Sequence, residues 1–445
     1  MDDNNDFNVI HQSGLSLYDR CPRAYYYNYA YNGIGVVRTE PNIDLTLGIA
    51  VHQGVGDMIA EFNATSGGLT WDYVKVCGNH AGMVVDNAWQ DYIKELKEQP
   101  NPGMKENWGQ AIEIANGLTL VFYLIAMAEL VKKYRFVGVE VPVESWITPR
   151  LLMVTRIDVV LEERESKDRY LVNFKTAKQI DDRLESKHSH DLQSITEVLL
   201  YEDYMKGLKK SINDSATAMT MLGVKKENVE KIKQLASKVV ETVAGTKIIY
   251  LFKGYHKKVF DSSGNDTGRV DSYSPLVRGW KKVGEDGEVK YAFSYEVSTV
   301  DGKVSRLGSS WKPFKPYKEY PGGTAQWVMD IWQGKIQPEV NGKEKLEECI
   351  KIGWDWQKRD EEIEEEREEI IARWGEICSL QQMGEKYYRK HRHSCDYPLR
   401  CQYQCLCFEG EQVFGDGGRF KYRVPHHEKE REKLKDIIEE AKKEG

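Results

Sequence analysis

The sequence lacks an excess of positive charge. Its 63 lysine and arginine residues are outnumbered by 70 aspartate and glutamate residues, which gives a formal net charge of −7. A protein coated with basic residues for non-specific binding to nucleic acid is therefore excluded, although local basic patches are not. An acidic average is compatible with a divalent-metal site, because such a site is built largely from carboxylates.

The sequence also has no uninterrupted apolar run of about 18 residues, the length that a helix needs to cross a membrane. The best candidate, LTLVFYLIAMAELV, is too short and contains Glu129, so it predicts a buried helix. The first residues, MDDNNDFNV, are acidic and polar, unlike a secretory signal peptide. We therefore expect a cytoplasmic protein with no membrane partner.

A phosphate-cradling loop of the form G-x-x-x-x-G-K-[ST] is missing as well. That loop holds the phosphates of ATP in many motor proteins, so a built-in ATP-driven helicase is not expected. Any helicase or recombination protein that works with this chain would be a separate partner.

Cysteine is scarce and unevenly placed. Four of the eight cysteines fall in the segment CDYPLRCQYQCLC, at Cys395, Cys401, Cys405 and Cys407, and Cys21 lies near the other end in YDRCPRAYY. In a reducing compartment, a tight cysteine cluster is typical of metal binding rather than of disulfides. Four thiolates can hold an iron–sulfur cluster or Zn²⁺, and buried thiols without a metal are the third interpretation.

The hydrophobic pattern predicts an α/β chain. Helical segments precede three strands rich in valine and isoleucine, FVGVEVPVESWI, LLMVTRIDVVLEE and YLVNFKTA, and a helix follows them. This order predicts a small mixed sheet flanked by helices. We divide the chain into N-terminal helices with the core at 1–205, an insert with strands and loops at 206–342, and a helical C-terminal region at 343–445, with one long helix expected between 343 and 390.

Two of the predicted strands carry residues suited to phosphodiester chemistry. Asp158 lies on the second strand, and Asn173 and Lys175 lie on the third, where alternation puts both side chains on one face. Asp158 could bind Mg²⁺ or Mn²⁺, with position 173 as a second ligand. Lys175 could orient the attacking water or stabilise the developing charge. Taken alone, this pattern is a weak signal.

In context, these residues resemble the PD-(D/E)XK nucleases, and specifically the RecB-like branch that includes AddB and the CRISPR-associated iron–sulfur exonucleases. The resemblance consists of six elements in the same order, within residues 13 to 410 and outside the segment 206–340: SLYDRCPRAYYY, GIAVH, TRID, NFKT, HDLQ and the cysteine run. It implies a restriction-endonuclease-like core and the hydrolysis of DNA with Mg²⁺ or Mn²⁺.

The resemblance also implies roles for individual residues. Asp158 would be the principal metal ligand, with position 173 as a second and His52 as an extra one. Lys175 would be the catalytic lysine, and Gln193 would position the catalytic group. The alternative for His52 is a histidine that caps a helix or fills the core.

For the cysteines, the resemblance implies a [4Fe–4S] cluster that joins the two ends of the chain. Its ligands would be Cys21, Cys395, Cys401 and Cys407, with Cys407 preferred over Cys405 because CQYQCLC resembles the ending found in related enzymes. Zn²⁺ is the alternative metal. The role of the cluster would be structural, because hydrolysis transfers no electron.

Asn173 departs from the family pattern, which has aspartate or glutamate at this position. Three interpretations follow. In the first, the site is weakened, so that the protein binds DNA but cuts it poorly. In the second, Glu197 restores the carboxylate, because it lies one helical turn beyond Gln193, where related enzymes often have tyrosine. In the third, His52 and Asp158 suffice as ligands, or the assumed register is shifted.

The function expected from the sequence is a RecB-like exonuclease acting on DNA ends in recombination, repair or phage-type replication, in a bacterial, archaeal or phage-infected cell. The chief alternative is a non-catalytic DNA-binding module with the same fold, and a more distant one is a zinc-stabilised scaffold. Lysines interleave with aromatics in LFKGYHKKVF, RGWKK and SSWKPFKPYKEY, a pattern suited to contacts with single-stranded DNA. An ordinary strand surface, with the lysine stems lying along it, is the interpretation that this pattern favours.

Overall fold

The computed structural model of the protein describes residues 8–31, 35–96, 102–177, 192–222, 224–253, 256–260, 266–272, 280–283, 289–292, 297–298, 304–305, 322–333, 346–347, 349–391, 395, 401–409 and 419–423. Helices pack on both faces of a mixed sheet within these residues. The described ranges include both strands that carry the predicted site.

The elements up to residue 177 are mainly long helices followed by long strands. They are β1 (Asn8–His11), α1 (Gln12–Arg20), α2 (Pro22–Tyr25), β2 (Val36–Arg38), α3 (Ile43–Ala64), α4 (Trp71–Glu95), α5 (Pro102–Phe122), α6 (Ala128–Lys133), β3 (Tyr134–Thr148), β4 (Leu151–Glu163) and β5 (Arg169–Ala177). Single π-helical turns, Tyr26–Ala30 and Tyr123–Met127, continue α2 and join α5 to α6.

The elements after residue 177 alternate between helices and shorter strands. They are α7 (Leu192–Met221), α8 (Lys226–Ser237), β6 (Gly245–Phe252), β7 (His256–Phe260), β8 (Asp266–Ser272), β9 (Trp280–Val283), β10 (Val289–Ala292), β11 (Val297–Ser298), β12 (Val304–Ser305), α9 (Gly323–Trp332), β13 (Ile350–Gln357), α10 (Asp360–Met383), α11 (Gln404–Glu409) and β14 (Phe420–Tyr422). Strands β7 to β12 form three antiparallel pairs of neighbours.

The main sheet has six strands in the order β1-β4-β5-β6-β13, with β3 paired to β4. β4 is antiparallel to β3 and β5 and parallel to β1, and β6 is parallel to β5 and antiparallel to β13. The long crossover through α7 and α8 is what allows β5 and β6 to run in the same direction. The mixed sheet flanked by helices is confirmed.

Each face of the sheet has its own core, and the alternation of side chains along β5 divides them. Val172 and Phe174 pack into the cluster formed with α3, α4 and α5, whereas Leu171 packs into the cluster formed with α1, α7 and α10. A strand covered on both faces needs apolar residues at nearly every position, which explains the valine-rich sequence of β4. A polar residue in such a strand is therefore conspicuous, and Asn173 is 1% exposed.

Three expectations from the sequence need correction or restriction. The segment 343–390 is not one long helix, because its aromatic and β-branched stretch forms β13 at the edge of the sheet before α10 begins. The short strand β1 lies in the polar N-terminal segment, where the sequence pattern predicts no strand. The part of the predicted helical C-terminal region after residue 423 lies outside the described residues.

The division into three regions remains a prediction. Helix α7 runs across the boundary placed at residue 205, and β6 lies within the predicted insert but belongs to the main sheet. Within the predicted insert, the described strands β7 to β12 form sheets of their own and do not lie on the path of the main sheet.

Among the described residues, one helical stretch, Asn107–Lys133, is long and apolar enough to cross a membrane, with a mean hydropathy of 1.8 over its most apolar window. It is longer than the run identified in the sequence because the helix continues through Asn116 and Gly117, which precede that run. Of that window, 61% is buried inside the protein. Leu118, Leu120 and Val121 are fully buried against α3 and α4, which is the packing of a core helix.

A glycine of α3 allows this helix layer to pack closely. A Cβ atom at Gly54 would lie 2.9 Å from both Cβ of Ala81 and Oγ1 of Thr119, and 3.0 Å from the carbonyl oxygen of Cys77. These contacts are tighter than van der Waals packing permits, so α4 and α5 would have to move. The close approach of three helices therefore depends on this position.

We predict that Gly54→Ala destabilises the protein by about 1–3 kcal/mol, because it overpacks the helix layer. Gly109→Ala is the matched control, since a Cβ atom there meets nothing within 4 Å and alanine improves helix propensity by roughly 0.5–1 kcal/mol. Urea unfolding of the two variants should shift the midpoint in opposite directions. Equal midpoints would contradict the close packing described for Gly54.

Candidate active site

The site lies where β4 and β5 separate. Their pairing ends at Val159↔Val172, after which β4 continues beside β3 and β5 continues beside β6. Asp158 and Asn173 are the first residues beyond the last pair, so their side chains stand at the opening of a fork. The peptide N–H of Phe174 donates a hydrogen bond of 2.8 Å to Oδ2 of Asp158, in place of the lost strand pairing.

Asp158 is held as an anion by its surroundings. Nδ1 of His52 lies 3.5 Å from Oδ1 of Asp158. Burial by itself would raise the pKa of Asp158, but His52, the Phe174 N–H and Lys175 outweigh burial and lower that pKa. A carboxylate that stays ionised while buried is suited to binding a divalent cation.

Helix α3 can bring His52 close to the fork because a glycine lies one helical turn before it and another one turn after it. A Cβ atom at Gly48 would lie 3.0 Å from Oγ1 of Thr176, and one at Gly56 would lie 3.4 Å from Cγ of Glu140. Positions 48, 52 and 56 follow one helix face, so the helix rests directly on the strands and only the imidazole projects. The ring of His52 packs edge-on against Phe174 at 5.7 Å between centroids.

A second acid, Glu140, lies beside Asp158. In the β3–β4 ladder it falls between the pairs Val139↔Val159 and Val141↔Ile157, directly opposite Asp158. Its φ of +49° is unusual for a glutamate within a strand and indicates local strain, and Oε2 of Glu140 lies 2.7 Å from Nε of Arg156. Burial raises its pKa, Arg156 opposes this, and Asp158 adds to it.

The sequence reasoning missed Glu140. The signal was available, because the register of a hairpin between the first two predicted strands would have placed it opposite Asp158. Glu140 adds a second carboxylate beside the predicted site, against the face of α3 that carries His52.

On β5, the polar side chains face α7 and join a chain of hydrogen bonds. Nζ of Lys175 donates to Oε1 of Gln193 at 2.5 Å, and Nε2 of Gln193 donates to Oε1 of Glu197 at 2.6 Å. Oε2 of Glu197 accepts a hydrogen bond of 2.7 Å from Nδ2 of Asn173. The chain therefore begins and ends on the same strand.

Glu197 is the buried centre of this network, with 1% of the residue exposed. Burial raises its pKa to about 7, while Lys175, Gln193 and Asn173 act to lower it and Asp158 to raise it. Both of its oxygens accept hydrogen bonds from amide groups, an arrangement that only the carboxylate form satisfies fully.

The described residues supply donors for a hard divalent ion, but they form no ready-made cage. Among them, no three histidine, cysteine, aspartate or glutamate side chains are grouped as a metal site. At the fork, the candidate ligands are the carboxylate of Asp158, the imidazole of His52 and the amide oxygen of Asn173. Only one of these three side chains is a carboxylate. Carboxylate, imidazole and amide oxygen are all chemically suitable for Mg²⁺ or Mn²⁺, which usually retains water as further ligands.

The two ends of the described chain meet in a separate, smaller core. Cys21, Cys401 and Cys405 are buried there with Tyr27 and Tyr403, and Cys407 packs against them. Burial raises the pKa of Cys401, to which Cys21 and Cys395 add, and it raises the pKa of Cys407 to about 11, to which Cys401 and Cys21 add. The four predicted ligands are thus electrostatic neighbours, and none of the eight cysteines forms a disulfide.

Backbone and side-chain hydrogen bonds hold this junction of the chain ends together. β14 pairs with β2, and the N–H of Arg23 donates to the carbonyl oxygen of Arg389 at 3.1 Å. Nε of Arg23 donates to the carbonyl of Tyr388, and the hydroxyl of Tyr403 donates to the carbonyl of Val36, both at 3.0 Å. The chain ends are therefore joined by contacts that do not require a metal.

The basic and aromatic segments predicted to contact DNA fall largely outside the part of the chain that the structure describes. Most of their residues, including SSWKPFKPYKEY, lie outside the described residues, and β7 and β9 are described by their backbone alone. The predicted contacts with single-stranded DNA remain a prediction.

The buried acid Asp158 stands at the fork of β4 and β5, and Lys175 lies two residues beyond Asn173 on the neighbouring strand. This is the arrangement of a metal-dependent phosphodiesterase. A model of the PD-(D/E)XK nuclease superfamily matches residues 10–408. The chain belongs to this superfamily, whose members are nucleases that typically use Mg²⁺ or Mn²⁺. None of the curated proteins compared with the chain matches it.

Proposed function

We propose that the protein is a RecB-like, metal-dependent nuclease that hydrolyses phosphodiester bonds at DNA ends. The observation that carries this proposal is the fork between β4 and β5, where Lys175 is close enough to Asp158 to lower its pKa. Membership of the superfamily supports the reaction class. Action at ends, and work alongside a separate helicase or recombination protein, follow from the resemblance to the RecB-like branch.

The proposed chemistry assigns each residue a task. His52, Asp158 and Oδ1 of Asn173 would hold Mg²⁺ or Mn²⁺, and the bound ion would polarise the phosphate and lower the pKa of a water molecule. Lys175, held by Gln193, would stabilise the charge that develops on the phosphate. Glu140 adds negative charge beside Asp158, which favours a cation at the same place.

A second candidate function is a DNA-binding module that has lost most of its cutting. The observation that favours it is Asn173, which brings no charge to a position where the family has an acid. Such a protein would still bind DNA through the same fork, but metal affinity and turnover would be low.

We predict that Asp158→Asn and Lys175→Met each lower Mg²⁺- or Mn²⁺-dependent degradation of end-labelled linear DNA by about 100-fold or more, because each removes a group that acts on the reacting phosphate. The control is Asp168→Asn, the same change at an exposed turn. Closed circular DNA of the same sequence tests for ends, since the proposed enzyme should leave it intact.

Full activity of Asp158→Asn would overturn the proposed site. Binding of labelled DNA by the parent protein without metal-dependent degradation would favour the non-cutting module instead. Cleavage of circular DNA at the rate of linear DNA would contradict the proposed action at ends, although the hydrolysis itself would stand.

For the cysteine junction, we propose a structural [4Fe–4S] cluster held by Cys21, Cys395, Cys401 and Cys407. Cys21 and Cys401 are buried and Cys395 and Cys407 are partly exposed. Cys21 and Cys395 help to raise the pKa of Cys401, and Cys21 and Cys401 help to raise that of Cys407, which supports a shared metal group even though the described thiols are not arranged as a ready-made site. A bound metal would offset the burial that disfavours thiolates. Soft thiolate ligands suit iron–sulfur clusters and zinc alike. The aromatic shell around the thiols would keep such a cluster dry.

We predict that protein purified without oxygen contains about four iron and four sulfide ions per chain, measured by metal analysis and by release of acid-labile sulfide. Cys21→Ser should lose most of this iron and lower thermal stability. Cys405→Ser and the remote Cys378→Ser should keep it. One zinc ion per chain with no sulfide would replace the iron–sulfur proposal with the zinc alternative.

A further inference from the structure

In the chain of hydrogen bonds between β5 and α7, Lys175 at one end determines which group donates and which accepts at each step. A lysine ammonium group can only donate, so Gln193 must present Oε1 to Lys175. Its Nε2 is then directed to Glu197, which accepts at Oε1. A carboxylate can only accept, so the second oxygen of Glu197 requires a donor from Asn173.

This direction determines which way the Asn173 amide faces. Its Nδ2 is engaged with Glu197, so its Oδ1 is turned away from α7 and is the atom that remains to meet a ligand. The distinction matters because an amide oxygen binds a divalent cation and an amide nitrogen does not. A flipped amide would present an N–H group to the ion.

Glu197 is poorly placed to be a direct ligand in this arrangement. It is 1% exposed, and each of its oxygens already accepts a hydrogen bond, from Gln193 and from Asn173. In its ionised form it carries the negative charge that Asn173 lacks, and its Oε2 lies 2.7 Å from Nδ2 of Asn173. Ligands of metal ions are commonly oriented in this way by a hydrogen-bonded neighbour.

We propose that Glu197 is a positioning residue that fixes the Asn173 amide with Oδ1 toward the divalent ion and supplies the missing charge through it. Asn173 and Glu197 together then do the work of one acidic ligand. This inference rests on the proposed function, because it concerns the same metal site. It replaces direct ligation by Glu197 with action through Asn173.

The first test is Mn²⁺ binding, measured by calorimetric titration in the absence of DNA. Glu197→Gln should weaken binding by about 10–100-fold, the usual effect of removing a partner of a metal ligand. A glutamine side chain at position 197 that accepts from Gln193 has to donate to Asn173, which turns the Asn173 amide over and presents Nδ2 to the ion. The control is Glu227→Gln, the same change at an exposed position of α8, which should bind Mn²⁺ like the parent.

The second test exchanges the two groups. Asn173→Asp alone places two carboxyl groups at hydrogen-bond distance, so one of them has to take up a proton and the pair keeps the single negative charge of the parent. Because the uptake of that proton near neutral pH costs stability, this variant should have a lower urea midpoint and no tighter Mn²⁺ binding. With Glu197→Gln added, the introduced amide accepts from Gln193 and donates to the introduced carboxylate, and every hydrogen bond is restored with one reversed. The double variant should recover the midpoint and bind Mn²⁺ at least as tightly as the parent.

Recovery in the double variant beyond the sum of the single effects would support the proposal, because only interacting positions show such coupling. Two results would overturn it: Mn²⁺ binding by folded Glu197→Gln at the parental affinity, or strictly additive effects in the exchange. Either can occur while the parent still degrades linear DNA, which would leave the proposed function standing. A parent that binds Mn²⁺ with the predicted dependence on Glu197 but degrades no DNA would count against the nuclease alone.

Discussion

The hydrogen bond from the Phe174 N–H to Asp158 is the contact on which the arrangement of the site depends. Two strands that stop pairing leave backbone groups without partners, and an unpaired buried N–H is costly. Here a side chain takes the place of the missing strand. This hydrogen bond holds the Asp158 carboxylate at the opening of the fork. Its Oδ1 lies 3.5 Å from Nδ1 of His52, and Lys175 on the neighbouring strand is near enough to lower the pKa of Asp158.

Around this contact, the fold separates two kinds of environment. The face of the sheet against α3, α4 and α5 is apolar and tightly packed, and it holds Val172 and Phe174 of β5 in place. The opposite face places Asn173 and Lys175 against α7, where polar groups of the two elements satisfy one another. Because β5 alternates between the two, the rigidity of the first face fixes the geometry of the second.

Much of this could be predicted from the sequence. The order of helices and strands and the mixed sheet followed from spacing and from the family resemblance. These features depend on local periodicity and on motifs only a few residues long. The structure places His52 beside Asp158 and Lys175 beside Gln193, while the roles expected of these residues remain predictions. The placement of the cysteines from both chain ends in one small core agrees with the expected junction, while the metal they would hold remains a proposal.

The features that escaped prediction depend on distant partners. β13 has a helix-like charged neighbourhood in the sequence, and only its pairing with β6 makes it a strand. Glu140 comes to lie opposite Asp158 through the register of β3 against β4. The orientation of Asn173 follows from a chain of donors and acceptors that returns to its own strand through α7, which no local pattern encodes.

The junction of the chain ends also has a consequence for the order of assembly during synthesis. Arg23 and Tyr388 are 365 residues apart in sequence, and Tyr27 and Leu406 are 379 apart, yet each pair is joined directly. The N-terminal helices therefore emerge from the ribosome long before their partners exist. This layer of the protein can close only after the residues around Tyr388 and Leu406 have been synthesised, so a chain truncated before them lacks it however well its sheet has formed.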